Sequence, residues 1–244
     1  MKTILITNDD GIRADGLVRL AAAAQDFGEV WVVAPDGQRS AASHGITLHG
    51  TVEVVPCDFP VPGVHAHACT GTPADCVRTG SLYVLPGRPD AVLSGINRGY
   101  NVASDIQYSG TCGAAFEGAF QGIPSIALSE AAGDCHAVTD YYLHGLLEEL
   151  LGTDPGDGRI VNVNLPGCPL SECRGILRDR TVSRGAFYRD RYRAVASLPR
   201  GGVRLEVDGL YNEDAEEGTD FRAVVEHYIS VGIVQNIGSK REGS

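Results

Sequence analysis

Short apolar segments alternate with helical patterns through the first 166 residues, and this alternation constrains the fold more than any other feature. The strand-like segments are residues 3–7, 29–34, 90–93, 125–128 and 159–165. Helical patterns begin at Asp15 and cover residues 111–121 and 140–151. Strands and helices that alternate in this way build a parallel sheet with helices on both faces. The sequence therefore predicts an α/β fold.

The pattern changes after Pro166. Residues 174–211 contain short polar–apolar alternations, such as Val203-Arg204-Leu205-Glu206-Val207, that are typical of antiparallel hairpins. We expect one domain over residues 1–244, with a core of about residues 1–166 and a β-rich extension and C-terminal segment over about residues 167–244. The extension would serve in oligomerisation or as a wall of the active site. The polar tail, residues 238–244, is expected to be mobile.

The formal net charge of −11 argues against polyanionic partners. Nucleic acids and anionic membranes would be repelled, whereas a small anion can bind where a metal ion and a few amides reverse the field locally. No apolar run approaches the roughly 20 residues of a membrane span. Only residues 3–7 separate Met1 and Lys2 from Asn8, so no signal peptide is expected. These features predict a cytoplasmic protein.

Several catalytic and binding motifs are missing from the sequence. The seven cysteines are irregularly spaced and form no C-x-x-C pair, which argues for reduced thiols and against structural zinc. Lys2 and Lys240 are the only lysines, so a G-x-x-x-x-G-K-[ST] phosphate loop is excluded. The absence of G-x-S-x-G weakens a serine hydrolase, and the histidines form no H-E-x-x-H pattern.

Polar loops follow the predicted strands, and ligands of open α/β sheets bind at the carboxyl ends of strands. The first loop, Asn8-Asp9-Asp10-Gly11, places two adjacent carboxylates at a strand end, where a hard cation would relieve their repulsion. The alternative is that Asp9 or Asp10 only caps the next helix or forms an Asx turn. The second loop, residues 34–43, offers the hydroxyls of Ser40 and Ser43, or is an ordinary polar loop.

Two further loops carry neutral polar groups. Residues 94–101 supply Asn97 and Asn101, or form a glycine-rich turn; they lack the G-x-G-x-x-G fingerprint of a dinucleotide site. Tyr108-Ser109-Gly110-Thr111 stands directly before a helical pattern. Its serine or threonine would cap the helix, and the same geometry points amides and a positive dipole end at an anion. The start Thr72-Pro73-Ala74-Asp75 is interpreted as a structural cap.

Taken together, these loops resemble the SurE (stationary-phase survival protein) family of nucleotidases. The order and approximate spacing of the matching segments hold over nearly the whole chain. These segments are ILITNDDG (4–11), VAPDGQRSAAS (33–43), TGTPADCV (70–77), SGINRGYN (94–101), YSGTCGAAFEG (108–118), QGIPSIALS (121–129), VNVNLP (161–166) and EGTD (217–220).

The resemblance implies a Rossmann-like three-layer α/β fold with a C-terminal β-rich hairpin extension, which helps to build homodimers or homotetramers. It implies a 5′/3′-nucleotidase, a phosphoric monoester hydrolase that releases phosphate from nucleoside monophosphates with one divalent cation per subunit, Mg²⁺ or Mn²⁺. By position, the metal ligands would be Asp9, Asp10, Ser40 and Asn97, with Asp9 and Asp10 also catalytic. The phosphate would contact Asn101, Ser109, Gly110 and Thr111.

The chain departs from the family pattern outside these loops. Cys112 stands where the family often has valine, and His227 replaces a usual glycine. Gly232-Ile233-Val234 replaces a common Thr-Pro-Leu. These differences bear on oligomer geometry more than on chemistry. At the first turn of the predicted helix, the dipole would favour a Cys112 thiolate; the alternative is that Cys112 packs as a small apolar residue.

The expected mechanism is metal-assisted hydrolysis, in which the cation polarises a phosphoryl oxygen and amides at residues 109–111 hold the others. Asp9 or Asp10 would orient or deprotonate the attacking water. A rival mechanism through an aspartyl-phosphate usually pairs a D-x-D pattern with a downstream lysine, and neither occurs here. A non-enzymatic nucleotide sensor with the same anion site remains an alternative.

Overall fold

The described residues of the computed structural model are 1–156, 158–212 and 214–236, and they form thirteen strands and five α-helices. The strands are β1 (Lys2–Thr7), β2 (Gly28–Pro35), β3 (Val54–Pro56), β4 (His65–Cys69), β5 (Ala91–Arg98), β6 (Ser125–Glu130), β7 (Arg159–Leu165), β8 (Ile176–Leu177), β9 (Tyr188–Arg189), β10 (Tyr192–Ser197), β11 (Val203–Val207), β12 (Leu210–Tyr211) and β13 (Ile229–Gln235). The helices are α1 (Asp15–Ala24), α2 (Pro73–Thr79), α3 (Gly110–Phe120), α4 (Ala137–Leu150) and α5 (Asp220–Val225).

Nine of these strands form one sheet in the order β3-β4-β2-β1-β5-β6-β7-β13-β8. The six strands from β4 to β7 in this order are parallel, whereas β3 and β13 run antiparallel to β4 and β7. The chain passes from β1 to β2 on one side and later returns to β5 on the other. The loops after β1 and β5 therefore diverge, which opens a crevice at the carboxyl edge of the sheet.

Helices cover both faces of this sheet. On one face, Ile4 and Ile6 of β1 pack into a core with apolar residues of α1 and α4. On the other face, Leu5 packs with Val33 of β2 and Val77 of α2. Successive side chains of a strand point to opposite faces, so a strand that is apolar throughout must be covered on both. The predicted three-layer α/β architecture is confirmed.

Helix α2 shows how a local signal sets a boundary. The hydroxyl of Thr72 accepts a hydrogen bond from the backbone N–H of Asp75, and the carboxylate of Asp75 accepts one from the N–H of Thr72. Pro73 occupies the first turn, where its missing N–H costs nothing. This capping box confirms the structural role that the sequence predicted for the segment.

The third predicted strand is longer than its apolar segment. Residues 90–93 were the expected strand, but β5 continues to Arg98 and includes Asn97. It keeps pairing with β6 after a register shift between Ser94 and Asn97. The side chain of Asn97 is therefore fixed by the sheet and is not part of a free loop.

The predicted antiparallel hairpins are present in the extension. Strands β10 and β11 pair with each other, and so do β9 and β12. The chain then returns to the main sheet, where β13 inserts between β7 and β8. Helix α5 leads into β13 through His227, whose φ is 62°, a left-handed conformation that favours the glycine expected there from the resemblance.

None of the helices in the described ranges combines the length and hydrophobicity that a membrane span requires. The tail predicted to be mobile, residues 238–244, lies outside the described residues.

Candidate active site

A cavity of about 470 Å³ lies at the carboxyl edge of the sheet, in the crevice between the loops after β1 and β5. Six of the residues that the sequence singled out line it: Asp9, Asp10, Ser40, Asn97, Asn101 and Ser109. They come from four segments that are spread over residues 9–109. The fold therefore brings together the four loops that were predicted to converge. Gly110 and Thr111 lie directly behind this lining.

Asp9 is the most deeply buried carboxylate of the cavity, with 4% of its surface exposed. Its Oδ1 accepts a hydrogen bond of 2.9 Å from the hydroxyl of Thr111. Burial raises the pKa of Asp9 to about 6, and the neighbouring charge of Asp10 raises it as well. Hydrogen bonds from Thr111 act in the opposite direction. When no cation neutralises Asp9 and Asp10, a fraction of Asp9 is therefore protonated near neutral pH.

The Oδ2 atom of Asp10 accepts a hydrogen bond from the backbone N–H of Arg98 at 3.1 Å. Within the described ranges, neither Asp9 nor Asp10 forms a salt bridge with a basic side chain. Two adjacent carboxylates that lack a protein counter-ion fit a bound divalent cation. The neutral oxygen donors nearby suit the same hard ion.

Asn97 and Ser40 are these neutral donors. The side-chain amide of Asn97 donates to the carbonyl of Gly99 at 2.8 Å, which leaves its Oδ1 to serve as an acceptor in the cavity. Ser40 is exposed, and its hydroxyl accepts a hydrogen bond from Nε2 of Gln38 at 3.0 Å. We find no group of three or more histidine, cysteine or acidic side chains arranged to hold a metal in the described part of the chain. A cation here would thus rely on two carboxylates with amide and hydroxyl oxygens.

The segment that carries Ser40, residues 36–45 and called the Ser40 loop below, is held in a strained conformation. Ala41 and Ser43 have φ values of 57° and 53°, which are costly for residues other than glycine. The N–H of Ser43 donates to the carbonyl of Tyr108 at 3.0 Å, and its hydroxyl donates to the carbonyl of Gln107 at 2.7 Å. These contacts over-determine the loop and place Ser40 beside the cavity.

The Ser40 loop packs directly against helix α3. A Cβ atom on Gly113 would lie 2.2 Å from the carbonyl oxygen of Ser43, so only glycine allows the loop to rest directly on the helix. One turn later, buried Glu117 accepts a hydrogen bond from Arg78 at 3.0 Å and pairs with His44, also at 3.0 Å. The loop and helices α2 and α3 are therefore tied together by one buried carboxylate.

The start of α3 lies at the cavity wall. The hydroxyl of Ser109 caps the helix by accepting a hydrogen bond from the N–H of Cys112 at 3.0 Å. Gly110 packs against Asp9, since an added Cβ would lie 2.9 Å from the Cβ of Asp9. The hydroxyl of Thr111 is fully buried and directed at Asp9. Asn101 is anchored by its backbone to Asn164 and by its side chain to Ser129.

Of the two interpretations of Cys112, the small apolar residue is confirmed and the thiolate is not. Cys112 is completely buried, and burial raises the pKa of its thiol to about 12, with the charges of Asp9 and Asp220 adding to the effect. The desolvation of the thiolate outweighs the favourable helix dipole. Cys112 packs as a small apolar residue in the same core cluster as Phe116.

Several residues to which the sequence assigned no role also line the cavity. Asp105 and Tyr108 line it from the short 3₁₀ helix Ala103–Gln107 and its end. Ala186, Tyr188 and Asp190 line it from the extension, at alternate positions around β9. Their spacing of two positions could have indicated that their side chains share one face, because alternate residues of an extended segment point the same way. Arg98 is the one basic side chain in the lining.

Similarity to known proteins identifies the family of the chain. A family model described as Survival protein SurE matches residues 4–186. The chain belongs to the SurE family. It is 41% identical over 240 residues to a protein of Synechococcus sp. (strain JA-3-3Ab) named 5′-nucleotidase SurE, covering 95% of this chain and 91% of that one. It is also 41% identical to a protein of Cronobacter sakazakii named 5′/3′-nucleotidase SurE, over 93% of this chain and 88% of the relative.

A solved SurE structure is similar as well. The crystal structure of the Sure protein from Aquifex aeolicus superposes with a TM-score of 0.81 and 33% sequence identity, and covers 96% of this chain and 93% of that chain. The SurE family model includes all eight residues predicted for metal and phosphate binding. Asp220, of the matching segment EGTD, lies outside residues 4–186, which the family model matches. In the structure, its carboxylate accepts a hydrogen bond from the backbone N–H of Ala103.

Proposed function

We propose that this SurE family member is a metal-dependent phosphomonoesterase that hydrolyses nucleoside 5′- and 3′-monophosphates to nucleoside and phosphate. The observation that carries the proposal is the adjacent pair Asp9 and Asp10 at the carboxyl end of β1, which lines the cavity without a basic partner in the described residues. The names of the SurE relatives support the same activity.

One divalent cation per subunit, Mg²⁺ or Mn²⁺, would be held by Asp9, Asp10, the hydroxyl of Ser40 and Oδ1 of Asn97. When bound, such a cation neutralises charge on the phosphoryl group and polarises a phosphoryl oxygen. The two carboxylates hold it electrostatically, whereas Asn97 and Ser40 complete an oxygen donor set of the kind that hard cations prefer. The ties from Glu117 and Gly113 keep Ser40 in place.

The remaining phosphoryl oxygens would be held at the start of α3 and by Asn101. Ser109 caps this helix at the cavity wall, so the positive end of its dipole is close to the anion. The backbone N–H of Gly110 belongs to the same helix start. Thr111 would act on the phosphate mainly through Asp9, to which its hydroxyl is bonded. The amides and the dipole of this helix start would supply the positive potential that a lysine supplies in other phosphate sites, since the core has no internal lysine.

Asp9 is our candidate for the group that orients or deprotonates the attacking water. Oδ1 of Asp9 accepts the hydrogen bond from Thr111, so Oδ2 is the oxygen that would serve the cation and its water. The pKa of about 6 belongs to the metal-free carboxylate, and a bound cation would lower it. Asp10 would remain the charged ligand beside it.

Substrate choice follows from the small number of cationic groups. The cavity offers one helix start and one cation site, which suits one phosphate dianion. Arg98, the one basic side chain among the described lining residues, is already paired with Asp134. We therefore expect preference for monophosphates over triphosphates and phosphodiesters, with modest base discrimination.

The test is kcat/KM for AMP, GMP, 3′-AMP, ATP and a dinucleotide diester at fixed Mn²⁺. Phosphate release from AMP and 3′-AMP supports the proposal and excludes a mere nucleotide sensor. A tenfold preference for ATP or the diester, about 1.4 kcal/mol, would contradict the assignment.

We also propose that the extension joins subunits into a homodimer or homotetramer. Every residue of β10 and β11 is exposed, including the apolar side chains of Tyr192, Val203, Leu205 and Val207. A two-stranded hairpin with both faces in water is marginally stable by itself, so a second copy of the chain is the simplest cover. Light scattering should give at least twice the mass of one chain, and Leu205→Asp should shift it towards the monomer.

A further inference from the structure

Two asparagines stand in the middle of β7, where a buried strand is expected to be apolar. Asn162 and Asn164 are both buried, and the strand is covered on both of its faces. Asparagine is disfavoured in strands, and a buried amide costs free energy unless it is hydrogen-bonded. The proposed mechanism gives neither residue a role. Because residues that break a local folding rule are expected at functional sites, the partners of these amides are informative.

Both asparagines bind the same residue of the candidate active site. They alternate along the strand, so their side chains share the face on which Ile160 packs with helix α3. The side-chain amides of Asn162 and Asn164 donate to the carbonyl of Asn101 at 2.8 Å and 3.1 Å. Oδ1 of Asn164 accepts a hydrogen bond of 2.8 Å from the backbone N–H of Asn101. Both polar groups of the main chain at Asn101 are therefore held by side chains of β7.

Ser129 of β6 holds the side chain of the same residue. Nδ2 of Asn101 donates to the hydroxyl of Ser129 at 2.8 Å. In the sheet, Ser129 is paired with Asn164 on one side and with Asn97, a proposed cation ligand, on the other. Ser129, Asn162 and Asn164, called the Asn101 clamp below, are thus fixed in the same sheet as Asn97.

The loop that the clamp holds has an unfavourable backbone conformation. Ala103, two residues after Asn101, has a φ of 53°, in the left-handed region that is costly for residues other than glycine. Such a conformation persists only where the surrounding contacts over-determine it. The clamp supplies three hydrogen bonds to the main chain just before this point. It therefore keeps Asn101 at the cavity wall against the tendency of the loop to relax.

Asn162 is a poor choice for stability alone. Its Oδ1 atom is buried and accepts no hydrogen bond from any part of the chain that the structure describes. A buried amide that is only half satisfied is less favourable than an apolar side chain of similar shape. A purely structural role would therefore favour leucine at this position. The donor to the carbonyl of Asn101 is the feature that requires an amide.

We propose that Ser129, Asn162 and Asn164 are positioning residues for phosphate binding, and that they act through Asn101. The inference rests on the proposed function, in which Asn101 contacts the phosphoryl group. The two asparagines fix the main chain, whereas Ser129 allows the side chain to adapt, because a hydroxyl can accept or donate a hydrogen bond. When Nδ2 of Asn101 turns to a phosphoryl oxygen, the hydroxyl of Ser129 can donate to Oδ1 instead.

A double-mutant cycle on AMP hydrolysis tests the clamp. Asn162→Leu keeps the size of the side chain but removes the donor, and it should lower kcat/KM about tenfold. In an Asn101→Ala enzyme, the backbone carbonyl remains but no amide is left to position. Adding Asn162→Leu to that enzyme should therefore change kcat/KM by less than about twofold. If Asn162→Leu does not fold, Asn162→Ala removes the same amide and carries the same prediction.

Two further readouts separate positioning from a general effect on the site. Inorganic phosphate should inhibit Asn162→Leu about tenfold more weakly than the wild type, whereas the Mn²⁺ concentration for half-maximal activity should stay unchanged. Ser230→Ala is the matched control. Ser230 lies beside Asn164 in the sheet, and its hydroxyl is also buried without a partner among the described residues. This variant should keep the kcat/KM and the phosphate inhibition of the wild type.

Two results would overturn the proposal. One is unchanged kcat/KM for AMP in Asn162→Leu. The other is a loss that is equally large with and without the side chain of Asn101, which would assign Asn162 to the fold. Binding of inorganic phosphate in the presence of Mn²⁺, measured by calorimetry, needs no hydrolysis. If the wild type releases no phosphate from any nucleotide but binds phosphate about tenfold more tightly than Asn162→Leu, the nucleotidase proposal fails and the clamp stands.

Discussion

The hydroxyl of Thr111 donates a hydrogen bond of 2.9 Å to Oδ1 of Asp9, and the two residues are 102 positions apart in the sequence. This bond joins the start of α3 to the end of β1. It also lowers the pKa of Asp9, which burial and the charge of Asp10 nevertheless raise to about 6. Thr111 is thus a positioning residue that acts on the site through Asp9.

Thr111→Val keeps the shape of the side chain but removes the donor. The pKa of Asp9 should then rise further, because its charged form loses a hydrogen bond. In EDTA, the pH dependence of urea unfolding should show this higher pKa. With Mn²⁺ bound, we expect kcat/KM for AMP to fall about tenfold at pH 7. Thr111→Ser should restore both. An unchanged pH dependence of unfolding in the valine variant would mean that the bond does not tune Asp9.

Asp9 should destabilise the metal-free protein at neutral pH. Its pKa is raised from 3.8 to about 6 by folding, so its contribution to stability is fully present below pH 3.8 and is lost as the pH rises through 6. Two pKa units correspond to roughly 3 kcal/mol. In EDTA at pH 8, Asp9→Asn should therefore unfold at higher urea than the wild type, and the gap should shrink at pH 5. A less stable variant at pH 8 would contradict this account.

Gly113 should matter for activity more than an ordinary helical glycine. Gly113→Ala would push a Cβ into the backbone of Ser43 and displace the Ser40 loop, so we expect the Mn²⁺ concentration for half-maximal activity to rise at least about tenfold. Gly145→Ala in α4 is the matched control, because nothing lies within 4 Å of its new Cβ. It should stabilise the fold by about 0.5–1 kcal/mol and leave the Mn²⁺ dependence unchanged. Equal behaviour of the two variants would remove Gly113 from the site.

His227 should carry a conformational cost. Its φ of 62° lies in the left-handed region, which costs about 1–2 kcal/mol for a residue with a Cβ. His227→Gly should raise the free energy of unfolding by about 1 kcal/mol with kcat/KM for AMP unchanged. Urea unfolding measures the difference. A loss of stability in the glycine variant would show that the imidazole makes contacts worth more than the strain.

Much of the fold could be predicted because its signals are local. The apolar face of α1, with Leu17 and Leu20, and the Thr72 capping box are set by neighbouring residues. Strand β4, with the sequence HAHAC, was missed because its histidines break the apolar pattern. Strand β13 pairs with β7 from the far end of the chain, and no local signal specifies that partner.

The same difference between local and long-range signals applies to the site. The loops that carry Asp9, Asn97 and Ser109 could be identified because strand ends and helix starts are local features. The bond from Thr111 to Asp9 and the contact of Gly113 with Ser43 depend on how distant segments pack, which one sequence does not encode in its neighbours. The sequence left two interpretations of Cys112 open for the same reason, since its burial is a property of the whole core.

The central claim is that Asp9 and Asp10 hold a catalytic cation, and the most direct test is kcat/KM for AMP in Asp9→Asn and Asp10→Asn at saturating Mn²⁺. The wild type should lose turnover in EDTA and regain it with Mn²⁺ or Mg²⁺. Each variant should fall at least about a thousandfold, or roughly 4 kcal/mol of transition-state stabilisation, whereas the exposed control Asp26→Asn should match the wild type. Full activity in either Asp9→Asn or Asp10→Asn would contradict the account.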